Sequence, residues 1–209
     1  FYEKLSNRRN IMLLLKYLWS LPSHRIAFRG IATSTIANAT YGQTSSSYFI
    51  RFANGLMNET NALVSSTIEL ITNIRITQLK LNNINEMNKM TNEEKKDFLD
   101  LHQQHEQECR FKAALCTQTL HMLTYLSSDE IIRKPFLTQE ILPRFVSMLL
   151  NVLNRLVGPK SLELKIEKME SYNFEPKIIL KDICIALSNF SSYPIFHERI
   201  VKDGFFEGK

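Results

Sequence analysis

The stretch Asn154–Ile166, NRLVGPKSLELKI, decides how the chain is read. Its GPKS looks like the tail of a phosphate-binding loop. Such a loop needs the pattern GxxxxGK[ST] directly after a strand, so that its amides point at the phosphates. Here Pro159 separates Gly158 from Lys160 and the earlier glycine is missing. The preceding residues, PRFVSMLLNVLNRLV, are apolar almost all round, which is the pattern of a buried helix. The segment therefore reads as a helix that stops. Gly158 is expected in the left-handed conformation of a helix C-terminal cap, with Pro159 blocking continuation. Nucleotide binding is excluded on the same grounds.

Helical signals extend in both directions. Downstream, short turns are expected over 160–174, then a helix opened by Pro176 and running to about Phe190, with Ile179, Leu180, Ile183, Ile185 and Leu187. Pro194 opens a last helix, expected to end at Gly204. Upstream, Lys134-Pro135-Phe136 is a break, Thr138 caps a short turn through Leu142, and Pro143 suits a first helical turn. Thr91 and Glu94 form a capping box that opens a long helix to about Leu126. Phe98, Leu101, His105, Cys109, Lys112, Cys116, Leu120 and Leu123 lie near its seam.

A second long helix is expected from Ser47 to about Lys80, with Gly55 inside it at a cost of about 1 kcal/mol relative to Ala. Two long helices joined by the polar link Asn82–Met90 most simply pack antiparallel. Residues 6–21 read as a helix capped by Ser6, with the stripe Ile11, Leu14, Leu15, Leu18 and Leu21, stopped by Pro22. Residues 30–47 carry no charge and are rich in Ser, Thr and small residues, so a flexible insertion is expected there. No segment alternates like a strand. The fold class is all-α: one helical domain over 1–209, an armadillo- or HEAT-like repeat stack with two long antiparallel helices and several shorter ones.

Composition agrees. A chain of 209 residues with 44% hydrophobic content buries a real core, and six Gly and six Pro are few for a loop-rich fold. The first residue is Phe1, so the chain is expected to be cut from something longer. No window reaches 18 apolar residues, so no membrane span is expected. Cys109, Cys116 and Cys184 read as free thiols of a reducing compartment, and the sequons at Asn38, Asn58 and Asn189 then read as chance. Residues 1–51 hold seven Lys and Arg against Glu3 alone, while the remainder holds 19 bases and 20 acids. A solvated basic face is expected there, not nucleic-acid binding, because no aromatic-interleaved basic stripe follows.

Catalytic chemistry is hard to place. His102, His105 and Cys109 share a helix at metal-compatible spacing, but a structural zinc draws its ligands from separate segments, so they read as seam residues. Each cysteine sits on an apolar helical face without a local base, as inert thiols do. No nucleophile elbow and no paired carboxylates stand out. The residues alone describe a helical interaction scaffold with no cofactor.

A resemblance adds to this. Leu142–Leu180, LPRFVSMLLNVLNRLVGPKSLELKIEKMESYNFEPKIIL, is similar to the core of the ubiquitin conjugation factors that elongate ubiquitin chains, the U-box ligases of the ubiquitin-fusion-degradation pathway. There a PRLAxMLNxxLxxL helix ends in Gly-Pro-Lys, followed by a leucine-lysine segment and a Tyr-x-Phe-x-Pro-Lys. The matching residues are Gly158, Pro159, Lys160, Leu164, Lys165, Tyr172, Phe174, Pro176 and Lys177. FYEKLSNRRNIMLLLKYLW (Phe1–Trp19), YFIRFANGLMNETNALV (Tyr48–Val64), KPFLTQEILPR (Lys134–Arg144) and RIVKDGFFE (Arg199–Glu207) resemble further family segments in the same order. Departures fall at Ser65 and Ser66, where the family has Asp-Glu, and at Phe205, where it has Arg-Ser.

The resemblance implies a helical, armadillo-like core that carries a U-box of about 70 residues, expected to lie outside this chain. Such ligases hold a ubiquitin-charged conjugating enzyme so that a substrate lysine attacks its thioester, which is catalysis by positioning. The implied partners are the conjugating enzyme, ubiquitylated substrates bound for proteasomal degradation, and an AAA-type unfoldase of the valosin-containing protein family. The implied location is cytoplasm or nucleus. This chain alone is expected to be inactive. The competing reading is a helical-repeat scaffold without ligase activity.

Overall fold

The computed structural model describes residues 1–40, 48–158 and 166–206. The described residues form α1 (Tyr2–Ser20), α2 (Pro22–Thr40), α3 (Tyr48–Leu81), α4 (Ile84–Lys89), α5 (Asn92–Ser127), α6 (Glu130–Arg133), α7 (Leu142–Val157), α8 (Pro176–Phe190) and α9 (Pro194–Val201). Single 3₁₀ turns cover Lys134–Leu137 and Met169–Tyr172, and no strand is found among them.

Helix α5 is the axis of the molecule. Its start is the expected capping box: Thr91 Oγ1 accepts from the Glu94 amide at 3.2 Å, and Glu94 Oε2 accepts from the Thr91 amide at 2.7 Å. The largest interface is between α3 and α5. Thr77 bonds His102, and Lys80 lies over the Phe98 ring, so the two run antiparallel as expected. On another side α1 runs parallel to α5, with Tyr2 stacked on Phe111 and Trp19 on Tyr125. Helix α8 also runs parallel to it: Asn173 bonds the Arg110 carbonyl, Thr124 the Asp182 carbonyl, and Asn189 the Ser127 hydroxyl.

A line of aromatic rings ties the layers together. Trp19 meets Phe28, Phe28 meets Phe49, Phe49 meets Phe136, Phe136 meets Phe145, Phe145 meets Phe190 and Phe190 meets Phe196, with centroids 4.8–6.2 Å apart. These contacts link α1, α2, α3, the Lys134–Leu137 turn, α7, α8 and α9. Edge and offset ring contacts add to the area buried by each ring.

Several expectations are corrected. Residues 30–40 are helical, not the start of a flexible insertion; 41–47 lie outside the described residues. Thr33, Ser34 and Thr35 donate their hydroxyls back to the carbonyls of Arg29 and Ile31, so their polarity is met within the helix. Among the side chains described there, the buried ones are Ala32 and Thr35, too small to register as an apolar period. Helix α1 begins at Tyr2 behind Phe1, so Ser6 is inside it and caps nothing. Its expected stripe is largely outside: Ile11 is 54% and Leu14 55% exposed, and only Leu5 is buried. Leu101 is likewise exposed on α5. The last helix ends at Val201, short of Gly204.

Gly158 is not left-handed. It has φ −70 and ψ −179, an extended backbone open to any residue, while its amide donates to the Asn154 carbonyl at 2.8 Å. What favours glycine there is space, because a Cβ would collide with that same carbonyl oxygen.

Candidate functional site

Two regions hold the motif residues. Gly158 lines a cleft of about 740 Å³ between α7, α8 and α9, with Leu153, Val157, Phe196 and Phe206 among its walls. Asn154 Nδ2 donates to the Phe205 carbonyl at 2.8 Å and ties the chain after α9 across one side of that cleft. Pro159, Lys160, Leu164 and Lys165 lie outside the described residues.

Tyr172, Phe174 and Pro176 form the second region, where the chain enters α8. Pro176 stands in the first turn of α8, where its missing N–H costs nothing. Phe174 and Tyr172 are buried. The Tyr172 hydroxyl donates to Glu106 Oε1 at 2.5 Å and accepts from Gln78 Nε2 at 3.2 Å. Burial first, and then the Glu106 carboxylate, push its phenol up to about 12. Arg110 spreads over the Tyr172 ring, donates from Nε to the Ser171 carbonyl at 3.1 Å, and lies 3.4 Å from Glu106. Gln78 Oε1 accepts the Glu167 amide at 3.1 Å. Asn173 takes a left-handed backbone, φ 56, which its residue type tolerates, and donates to the Arg110 carbonyl. Helices α3 and α5 thus clamp the segment 166–175 through polar side chains.

Glu106, Arg110 and Gln78 were not singled out from the sequence. A trace of them was present, since His102, Glu106 and Arg110 repeat at four-residue spacing on one helix face. What they hold, a tyrosine more than sixty residues away, has no local signature.

The candidate metal and thiol residues have structural roles. His102 bonds Thr77 at 2.6 Å and lies 3.4 Å from Glu106. Cys109 and Cys116 are buried, and desolvation pushes both thiols up to about 12, far from a reactive thiolate. Cys184 is exposed, not on a buried face as expected. Among the described residues no group of His, Cys, Asp and Glu is arranged to hold a metal, and no helix is long and apolar enough to cross a membrane. Within the basic section, Arg8 pairs with Glu59, Arg29 with Asp129 at 2.7 Å, and Arg51 lies over Tyr48.

Tyr172, Phe174 and Pro176 lie around one joint in an all-α frame. A family described as the ubiquitin elongating factor core matches residues 1–207. The chain belongs to this family. It is 31% identical over 207 residues to a probable ubiquitin conjugation factor E4 of Arabidopsis thaliana, covering 98% of this chain and 19% of the relative. It is 28% identical over 204 residues to ubiquitin conjugation factor E4 A of Rattus norvegicus, covering 98% and 19%. It is 27% identical over 205 residues to the E4 ubiquitin-protein ligase UFD2 of Saccharomyces cerevisiae, covering 97% and 20%. This elongating-factor core therefore spans about a fifth of the length of the curated relatives it matches.

Within the core, the positions where departures from the family pattern are expected also have places. Ser65 and Ser66 are half-buried on α3, and Ser66 donates to the Leu63 carbonyl. Phe205 is 43% exposed at the rim of the α7–α9 cleft.

Proposed function

We propose that this chain is the helical scaffold of a ubiquitin chain-elongating ligase of the U-box type. The observation that carries the reading is the match of the ubiquitin elongating factor core to residues 1–207. In this reading the scaffold holds a U-box elsewhere in the protein, and the U-box holds a ubiquitin-charged conjugating enzyme. The substrate's ubiquitin lysine is then brought to the thioester, so that the rate gain comes from orientation. Covalent catalysis by the scaffold is not needed. The buried Cys109 and Cys116, with thiols raised to about 12, suit that division of labour.

The partners in this reading are the conjugating enzyme, ubiquitylated substrates on their way to the proteasome, and an AAA-type unfoldase of the valosin-containing protein family, in cytoplasm or nucleus. In this reading α5, which packs against α1, α3 and α8, is the element that holds the helical scaffold together. The clamp around Tyr172 then sets the angle between the α3–α5 pair and α8.

The test is a chain-elongation assay with full-length protein, activating and conjugating enzymes, and a mono-ubiquitylated substrate. Full-length protein is expected to extend the chain and the 209-residue chain alone is expected not to. A full-length protein that leaves the substrate mono-ubiquitylated sinks the reading in favour of a scaffold without ligase activity.

A further inference from the structure

A cleft of about 350 Å³ opens among α3, α7 and α9, lined by Asn61, Pro143, Arg144, Ser147, Met148 and Arg199. Its polar groups are donors with too few acceptors. Arg144 donates to Asn54 Oδ1 at 2.6 Å and to Asn58 Oδ1 at 2.7 Å. Both acceptors are neutral amides, so they fix the guanidinium in place without cancelling its charge. Asn61 Oδ1 is already taken by Asn151 Nδ2 at 3.1 Å, which leaves the Asn61 amide nitrogen as a donor. The Ser147 hydroxyl finds no partner among the described residues.

Arg199 adds the sharpest mismatch. Its Nε is buried and has no acceptor among the described residues. Its Nη2 lies 3.6 Å from Asp203 Oδ2, while Asp203 Oδ1 is engaged by the Phe205 amide at 3.1 Å. One carboxylate, partly committed elsewhere, thus serves a cleft with two guanidinium groups. A buried donor without an acceptor is unfavourable, while the Arg199 side chain as a whole stays a third exposed and open to an incoming oxygen.

We propose that this cleft binds an oxyanion carried by a polypeptide partner, a carboxylate or a phosphoryl group, held between Arg144 and Arg199 with Ser147 as a further donor. A guanidinium fork matches the oxygens of either group. Pro143 and Met148 give the apolar wall that the aliphatic stem of such a side chain needs. No aromatic ring lines the cleft, so it offers no platform on which a nucleobase stacks.

The test starts with inorganic phosphate, titrated into the isotope-labelled chain at constant ionic strength while the arginine Nε–H signals are followed by NMR. The Arg144 and Arg199 signals are expected to move. Three peptides of one sequence then follow, bearing glutamates, a phosphoserine or neutral residues at the same positions. Tighter binding of the glutamate peptide assigns a carboxylate, and of the phosphoserine peptide a phosphoryl group; either supports the proposal.

Arg199→Gln is expected to weaken that peptide about tenfold. Ser147→Ala, which removes no described contact, is expected to weaken it severalfold at unchanged melting temperature, and decides the matter if Arg199→Gln fails to fold. The proposal is overturned if phosphate leaves both arginine signals in place. It is also overturned if neither charged peptide exceeds the neutral one, if Ser147→Ala binds like the parent, or if a short RNA displaces the peptide from the cleft. None of these results bears on chain elongation, so the two readings fail separately.

Discussion

The Tyr172 hydroxyl donates a 2.5 Å hydrogen bond to Glu106 Oε1, across sixty-six positions of sequence. It joins the joint before α8 to the middle of α5. Glu106 also accepts from Arg110 Nη2 at 3.4 Å and lies 3.4 Å from His102 Nε2, so its loss removes an acceptor from both the tyrosine and the arginine.

Tyr172→Phe removes the hydroxyl and keeps the buried ring. It is expected to cost about 1.5–3 kcal/mol in urea unfolding, as for a hydrogen bond to a charged group. A double-mutant cycle with Glu106→Gln is expected to give a coupling of about 1 kcal/mol. Additive single effects would show that the bond does not hold the joint.

Gly158→Ala is expected to lower stability by about 1–3 kcal/mol, through contact of the new methyl with the Asn154 carbonyl. Gly158→Asn separates this from a left-handed cap. Asparagine is tolerated in left-handed caps but brings the same Cβ, so here it should destabilise at least as much as alanine. A benign Gly158→Asn melting curve would restore the left-handed assignment.

Asp129 caps α6 by accepting from the Ile131 and Ile132 amides and pairs with Arg29. Burial alone would raise its carboxyl, but the Arg29 hydrogen bond and charge and the two amides together hold it below the usual carboxylate range. A lowered folded value means that its contribution is full above the unfolded value of about 4 and is lost as pH falls through the folded one. Asp129→Asn keeps a capping acceptor and loses the ion pair. It should be less stable than the parent at neutral pH, with the gap closing below pH of about 4. A gap constant down to the lowest pH would contradict the assignment.

Native-state labelling with a thiol reagent should modify Cys184 quickly and leave Cys109 and Cys116 untouched until the chain unfolds. Mass spectrometry of the labelled peptides gives the answer. Rapid modification of Cys116 would mean that the α3–α5 seam opens in the native state.

Phe136 touches Phe49, Phe145 and Phe190 at centroid distances of 5.4, 4.8 and 6.1 Å. Phe136→Ala should cost about 3–5 kcal/mol, and Phe136→Leu less. Thermal melts that place Phe136→Ala within a degree of the parent would remove the ring line as a source of cohesion.

By itself the sequence determined the elements with strong local causes. The Thr91–Glu94 capping box, the prolines at 143, 176 and 194, and the long period from Phe49 to Ile74 each act within a turn or two, and the helices begin or run where those residues dictate. The order of its motifs also carried the family. Tertiary structure decided what depends on neighbours far along the chain. Ile11 and Leu14 have the spacing of a buried stripe, yet α5 meets the face of α1 that carries Tyr2 and Trp19 and leaves them in solvent. Ala32 and Thr35 look unremarkable in sequence, yet close packing makes them the buried edge of a helix. Glu106 and Arg144 carry no local sign of their partners, and only the approach of Tyr172, Asn54 and Asn58 turns them into a clamp and a fixed cation. Periodicity specifies which residues share a face; which face is covered is settled by long-range packing, where each contact is won against the entropy of bringing distant segments together.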